Sequence, residues 1–151
     1  MKTTSYKNKL SLLDKLKAKS KREANIFFSL CEKDSEIISA KKFKNILLNS
    51  GLKAKDKRLY NLFQNLDAHG DRIVFEDFIE IIRSSELIVE KALRGELSIP
   101  DFSYFAKNLD NMFDEVKKIK SGELASYIPP LANVDPDQFG VAIVTTDGQI
   151  Y

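Results

Sequence analysis

Two stretches of this sequence repeat each other at an offset of 35 residues. Residues 36–47 read EIISAKKFKNIL and residues 71–82 read DRIVFEDFIEII. Ile38 corresponds to Ile73, Phe43 to Phe78, Ile46 to Ile81 and Leu47 to Ile82. Each copy reads as a polar loop, one isoleucine and then a helix opening near phenylalanine. Units of this kind pack face to face, and the two isoleucines are placed to pair as a short bridge between the loops. The flanking stripes complete the helices. Ile26, Phe27, Leu30 and Cys31 precede the first loop, and Leu59, Leu62, Phe63 and Leu66 precede the second. Phe43, Ile46 and Leu47 recur at helical spacing between Ser39 as N-cap and Gly51 as C-cap. Phe75, Phe78, Ile79 and Ile82 form the next face, then Leu87, Ile88, Ala92 and Leu93 up to Gly95. These stripes are core faces, with no chemistry of their own.

The layout is that of an EF-hand pair, so calcium is the first ligand to test. Such a loop needs oxygen ligands at positions 1, 3 and 5, glycine at 6 and a bidentate glutamate at 12. With Ile38 at position 8, the first loop offers Cys31, Lys33, Glu36 at 6 and Lys42 at 12. Two ammonium groups at ligand positions repel a cation. A second loop starting at Asp67 has His69 at 3, Asp71 at 5, Arg72 at 6 and Phe78 at 12. Anchored on Ile73 instead, it begins at Leu66 and ends at Asp77, so no register supplies both ends. The expectation is a metal-free module, with Asp67 and Asp71 in a solvated turn around Gly70.

Composition narrows the class further. One cysteine and one histidine in 151 residues exclude an internal disulfide and a Cys/His zinc site. There is no apolar run near the roughly 18 residues of a membrane span. A net charge of +2 makes no whole-chain case for nucleic acid. That charge is concentrated: residues 1–24 carry eight Lys/Arg against Asp14 and Glu23. Transit peptides are arginine-rich and this segment has only Arg22, while Leu10–Leu13 is too short for a secretory signal. Residues 1–24 read as a basic leader with a weak helical stripe at Leu10, Leu13 and Leu16. An anionic-surface contact is the competing reading.

After Ser98 as a cap and Pro100 in a first turn, a linking helix is expected to run to Ser121-Gly122. Phe102, Phe105, Ala106, Leu109, Met112, Phe113, Val116 and Ile119 form one continuous face. The pattern then changes. Tyr127-Ile128-Pro129-Pro130 cannot continue a helix. Residues 140–145 (GVAIVT) are β-rich, and Asp147-Gly148 is a hairpin turn signal. A lone hairpin with so short a second arm needs a partner surface. The expectation is that the chain stops partway into an α/β domain.

The residues of this second half resemble a known family. Ile99-Pro100-Asp101-Phe102 with Phe105, Tyr127-Ile128-Pro129 with Leu131-Ala132, Gly140-Val141 and Asp147-Gly148-Gln149 are similar to the glutaminases of the serine-dependent, β-lactamase-like class. In animal-type members an EF-hand-like module precedes the catalytic domain, and residues 20–95 look like that module. The resemblance implies a parent enzyme that hydrolyses L-glutamine to L-glutamate and ammonia, without a cofactor, as a homo-oligomer. It implies a serine nucleophile in a Ser-x-x-Lys motif downstream of the hairpin. Only Ser39/Lys42 and Ser50/Lys53 have that spacing here, and both flank a helix of the module. No catalytic residue is therefore assigned. Tyr127 corresponds to the family's substrate-contacting tyrosine; without the resemblance it reads as a packed tyrosine with its hydroxyl in water.

Other constellations are weak. His69 has no apolar support for a triad role. Cys31 reads as a small core residue. Asp101, Asp110, Asp114 and Glu115 read as a solvated face. The resulting fold class is mainly α: a degenerate EF-hand-like pair, a long linking helix and an incomplete β-hairpin starting an α/β catalytic domain. The division is 1–24 leader, 25–95 module, 96–151 linking helix and start of the catalytic domain. A non-catalytic EF-hand adaptor is the alternative function. The expected compartment is the cytoplasm, with the mitochondrial matrix as alternative.

Overall fold

The structure is a computed structural model that describes residues 18–31 and 35–151. The stripe at Leu10, Leu13 and Leu16, most of the basic leader, and Lys33 lie outside the described residues.

Five helices build the first unit. They are α1 (Ala18–Leu30), α2 (Ala40–Asn49), α3 (Tyr60–His69), α4 (Phe75–Ile82) and α5 (Glu86–Arg94). Two-residue strands β1 (Ile38–Ser39) and β2 (Arg72–Ile73) lie between them and pair antiparallel, Ile38 opposite Ile73. This is the bridge that the 35-residue repeat implies. It fixes the register of the two halves, and both isoleucines are buried beneath it. Phe78 sits at the centre, with its ring 5.5 Å from that of Phe27 and 5.6 Å from that of Phe43. Rings at such spacing stabilise one another beyond the area they bury. Leu47, Leu62, Phe63 and Ile82 close the core. α1 is continuous across residues 24–25, and Glu23 and Ala24 are already buried.

The helix ends follow local chemistry. Ser39 caps α2, its hydroxyl accepting from the Lys42 amide at 3.2 Å. At the other end the C-cap is Ser50, one residue earlier than the expected Gly51, which follows it with φ +86°. Gly95 ends α5 in the left-handed region at φ +67°.

The linking helix α6 (Phe102–Val116) departs from expectation at both ends. Asp101 is its cap, accepting from the Tyr104 amide at 3.1 Å, and Ser98 is engaged elsewhere. A carboxylate three residues before a free N–H outcompetes a serine farther back. The helix stops at Val116, well before Ser121. Its apolar stripe is not a continuous buried face: Phe102 is buried, whereas Met112 and Ile119 are more than half exposed. Its first turn reaches the module, where the Phe102 ring lies over Gly51 and the Ser103 hydroxyl donates to the Asn49 carbonyl at 3.1 Å. Leu87 of α5 is likewise exposed rather than in the core. After α6 come irregular segments, a 3-10 turn (Pro129–Leu131) and a hairpin whose arms meet at Val144 and Ile150.

Candidate functional site

The hairpin is where the two halves of the chain meet. Its loop forms with the Gly148 amide donating to the Thr145 carbonyl (3.0 Å) and the Thr145 amide to the Gln149 carbonyl (3.0 Å). Thr146 and Asp147 are thus the central residues, and Gly148 follows them at φ +89°. That is the pattern of a three-residue loop with a glycine bulge, one residue displaced from a two-residue Asp-Gly turn. The Arg58 and Asp56 side chains lie against Gly148, so a Cβ there would displace the guanidinium as well as strain the backbone.

Two side chains of the hairpin, Asp147 and Gln149, are gripped by the module and the segment just after it. Asp147 accepts from the Lys91 ammonium (2.9 Å), the Ser98 amide (2.8 Å) and the Ser98 hydroxyl (2.9 Å). The Lys91 partner, then the Ser98 donors, hold its carboxyl below the ordinary value. Its carbonyl accepts from Arg58, which is itself clamped by Asp56 at 2.6 Å. Gln149 is fully buried. Its Nε2 donates to the Ser50 and Ile99 carbonyls, both at 2.8 Å, and its Oε1 accepts from the Ile99 amide at 2.9 Å. The Ile150 amide adds a bond to the Gly51 carbonyl at 3.0 Å. Tyr151 donates its phenol proton to Asp110 of α6 at 2.7 Å, which holds that proton above its usual value. Neither Gln149 nor Asp110 stands out by hydropathy; the only forewarning was the Asp-Gly-Gln string after a β-rich run.

Tyr127 stands apart from this cluster. It is 83% exposed, in a turn before the 3-10 segment that Pro129 and Pro130 stiffen. A hollow of about 490 Å³ lies nearby, between the end of α6 and residues 136–139, and Tyr127 does not line it. Phe139 forms part of its wall, and its ring stacks on that of Phe113 at 4.9 Å between centres.

The second loop of the module does not fit calcium. Asp71 is committed: its Oδ1 accepts from the Ser39 hydroxyl (2.9 Å) and the Lys41 amide (3.1 Å). It remains in the exposed turn after Gly70 and also serves as a cross-loop cap on α2. Asp67 is paired with the Lys44 ammonium. Arg72 and Phe78 fill the positions where glycine and the bidentate glutamate belong. Among the described residues no group of three His, Cys, Asp or Glu is placed to hold a metal.

The Ser-x-x-Lys strings are structural. The Ser39 hydroxyl is spent on the cap and on Asp71, and that of Ser50 donates to the Ile46 carbonyl at 2.8 Å. His69 ends α3 with its Nε2 3.0 Å from Asp77. Cys31 is half-buried against the core.

With this geometry in hand, likeness to known proteins is informative. A family model for an EF-hand domain matches residues 22–100, and one for glutaminase matches residues 122–151. The chain belongs to the glutaminase family and carries an EF-hand domain. It is 32% identical over 130 residues to "Glutaminase liver isoform, mitochondrial" of Rattus norvegicus, covering 82% of this chain and 21% of that relative. "Putative glutaminase 3" of Caenorhabditis elegans is 32% identical over 122 residues, 72% of this chain and 20% of the relative. "Glutaminase" of Nostoc sp. is 42% identical over 62 residues, 41% of this chain and 18% of the relative. The chain thus spans about a fifth of the length of these relatives. The glutaminase match includes Tyr127 and the whole docked hairpin. Among the described residues no helix is long and apolar enough to cross a membrane.

Proposed function

We propose that this chain is the N-terminal portion of an amidohydrolase that converts L-glutamine to L-glutamate and ammonia. The observation that carries the reading is the glutaminase match over residues 122–151, a segment that ends in a specifically docked Asp-Gly-Gln hairpin. Residues 1–24 are the leader, 25–95 the metal-free module and 96–151 the approach to the catalytic domain. The catalytic serine and its lysine lie outside these residues, so residues 1–151 alone are inactive. Nucleophilic catalysis needs serine and base together, and the hydroxyls of Ser39 and Ser50 are engaged in the module. Tyr127 is the substrate contact. Its exposed phenol sits on a proline-stiffened turn, where it can donate to or accept from a polar group of glutamine. The working form is a homo-oligomer. The compartment is the cytoplasm or, favoured by the names of two mammalian relatives, the mitochondrial matrix.

Ammonia release from glutamine tests this. The full-length gene product should be active and residues 1–151 inactive. Tyr127→Phe in the full-length protein should raise KM several-fold with the fold intact. Ammonia release by residues 1–151 would remove the claim that the nucleophile lies elsewhere. A full-length product inert toward glutamine would remove the amidohydrolase reading itself and leave the EF-hand adaptor.

A further inference from the structure

The hydrogen bonds around the hairpin do more than hold it; they select its side chains. We propose that the EF-hand module carries a built-in recognition site for the Asp-Gly-Gln turn, and that this site, rather than the linking helix, sets where the glutaminase segment begins relative to the module. This goes beyond the catalytic reading and stands whether or not the longer protein hydrolyses glutamine.

Each of the three residues is read by a different means. Asp147 requires a carboxylate, because all three side-chain partners are donors: the Lys91 ammonium, the Ser98 amide and the Ser98 hydroxyl. Gly148 requires the absence of a Cβ, both for its φ of +89° and because Arg58 occupies the space. Gln149 requires a carboxamide. Both protons of Nε2 go to carbonyls, and Oε1 faces the Ile99 N–H. A glutamate there would aim an acceptor-only oxygen at the Ser50 and Ile99 carbonyls. A methionine would match the shape but leave those two carbonyls unpaired.

The linking helix is a poor candidate for the same task. α6 contacts the module through its first turn, by Phe102 and by the Ser103 hydroxyl on the Asn49 carbonyl, and the far end of its stripe, Met112, Val116 and Ile119, is exposed. The hairpin instead reaches Ser50, Gly51, Arg58 and Lys91 of the module and Ile99 just after it, groups spread over three separate segments of the chain. A turn held from three directions cannot pivot.

Amide hydrogen exchange on the 151-residue chain tests the proposal. The Ser98, Ile99 and Ile150 amides report docking, since each donates across the junction. Phe43 and Leu47 amides report the module. In the wild type all five should be protected. Gln149→Glu should speed exchange at the three junction amides by about 10- to 100-fold, and Gln149→Met by a smaller factor, with Phe43 and Leu47 unchanged. Wild-type protection retained by Gln149→Met would mean shape alone holds the hairpin and would overturn carboxamide recognition. Junction amides exchanging at peptide rates in the wild type would overturn the site altogether. If Gln149→Glu also exposes Phe43 and Leu47, Lys91→Met decides. Loosening confined to the junction supports the proposal, and unchanged junction protection refutes it.

Discussion

Residues 18–95 and residues 117–151 are ordered by different physics. The first region buries Phe27, Phe43, Phe78, Leu47 and Leu62 completely, around a two-isoleucine bridge. In the second, one side chain is buried, and it is Gln149. Its apolar residues Ile128, Leu131, Phe139 and Val141 are exposed. The module therefore holds itself together by apolar burial, which is strong and undirected. The hairpin is held to it by hydrogen bonds, which add little net stability each but fix one geometry. The difference explains how a segment with almost no core can still have a defined place. It also gives a direction of dependence: the hairpin needs the module, and the module does not need the hairpin.

The largest effect should come from cutting at the source of that dependence. Phe78 touches both other central rings. Phe78→Ala should cost about 3–5 kcal/mol, in the range for a large core aromatic. Urea unfolding should show the module transition move by that amount, and the junction amides should lose protection at the same denaturant concentration. A hairpin that stays protected after the module has melted would break the comparison.

The next effect falls on the seam. Gly51 has φ +86°, and an added Cβ would lie 2.6 Å from the Phe102 ring. Gly51→Val combines an unfavourable backbone with a clash against a buried ring. About 1–3 kcal/mol is expected. Near-ultraviolet circular dichroism and urea unfolding together should show a displaced aromatic environment with helix content kept. A fully neutral substitution would mean α6 is not seated on the module.

Legibility in the sequence followed the same divide. Ile38 and Ile73 declared their pairing through a repeat, because the surrounding helices must present the same residues in both copies. Ser39 announced its cap through local spacing. Apolar periodicity, however, records what could be buried, not what is. Leu87 and the outer face of α6 carry the pattern and stay exposed, since among the described residues nothing lies opposite them. Gln149 was invisible for the converse reason: a polar residue is buried only when distant backbone carbonyls converge on it, and no local pattern encodes Ser50 meeting Ile99. Asp71 was legible only in part. It is a turn residue and also serves as a cap across the paired loops. Tyr127 was legible as a candidate only through family resemblance, and its exposed phenol carries no mark of a role by itself.

A smaller change probes cooperation between the repeats. Ser39→Ala removes the hydroxyl that caps α2 and bonds Asp71. The expected loss is about 1 kcal/mol, in the usual range for such a cap. Thermal unfolding should report it as a single, slightly lowered transition. Two separate transitions would mean the repeats are coupled mainly through this cap rather than through their shared core.

The smallest effect should be confined to the hairpin and depends on acid. Asp147 has its carboxyl lowered by Lys91 and by the Ser98 hydroxyl and amide. A folded-state value below the unfolded one, about 3.9, means the docked state binds fewer protons. Its contribution is therefore complete above the unfolded value and fades as pH falls through the folded one. Between neutral pH and about 5, docking should not change. As pH falls through that lowered value, the carboxyl takes up a proton and no longer pairs with the Lys91 ammonium, and the Ser98 amide should shift by NMR. Asp147→Asn should abolish that shift while leaving those of other carboxylates in place, notably Asp56, which Arg58 lowers, and Asp71, which the Lys41 amide and Ser39 lower. Phe43 and Leu47 should not move with Ser98, because the carboxylate of Asp147 bonds Lys91 and Ser98, outside α2. If their resonances move together with Ser98, the two regions share one cooperative transition, and the one-way dependence of hairpin on module is wrong.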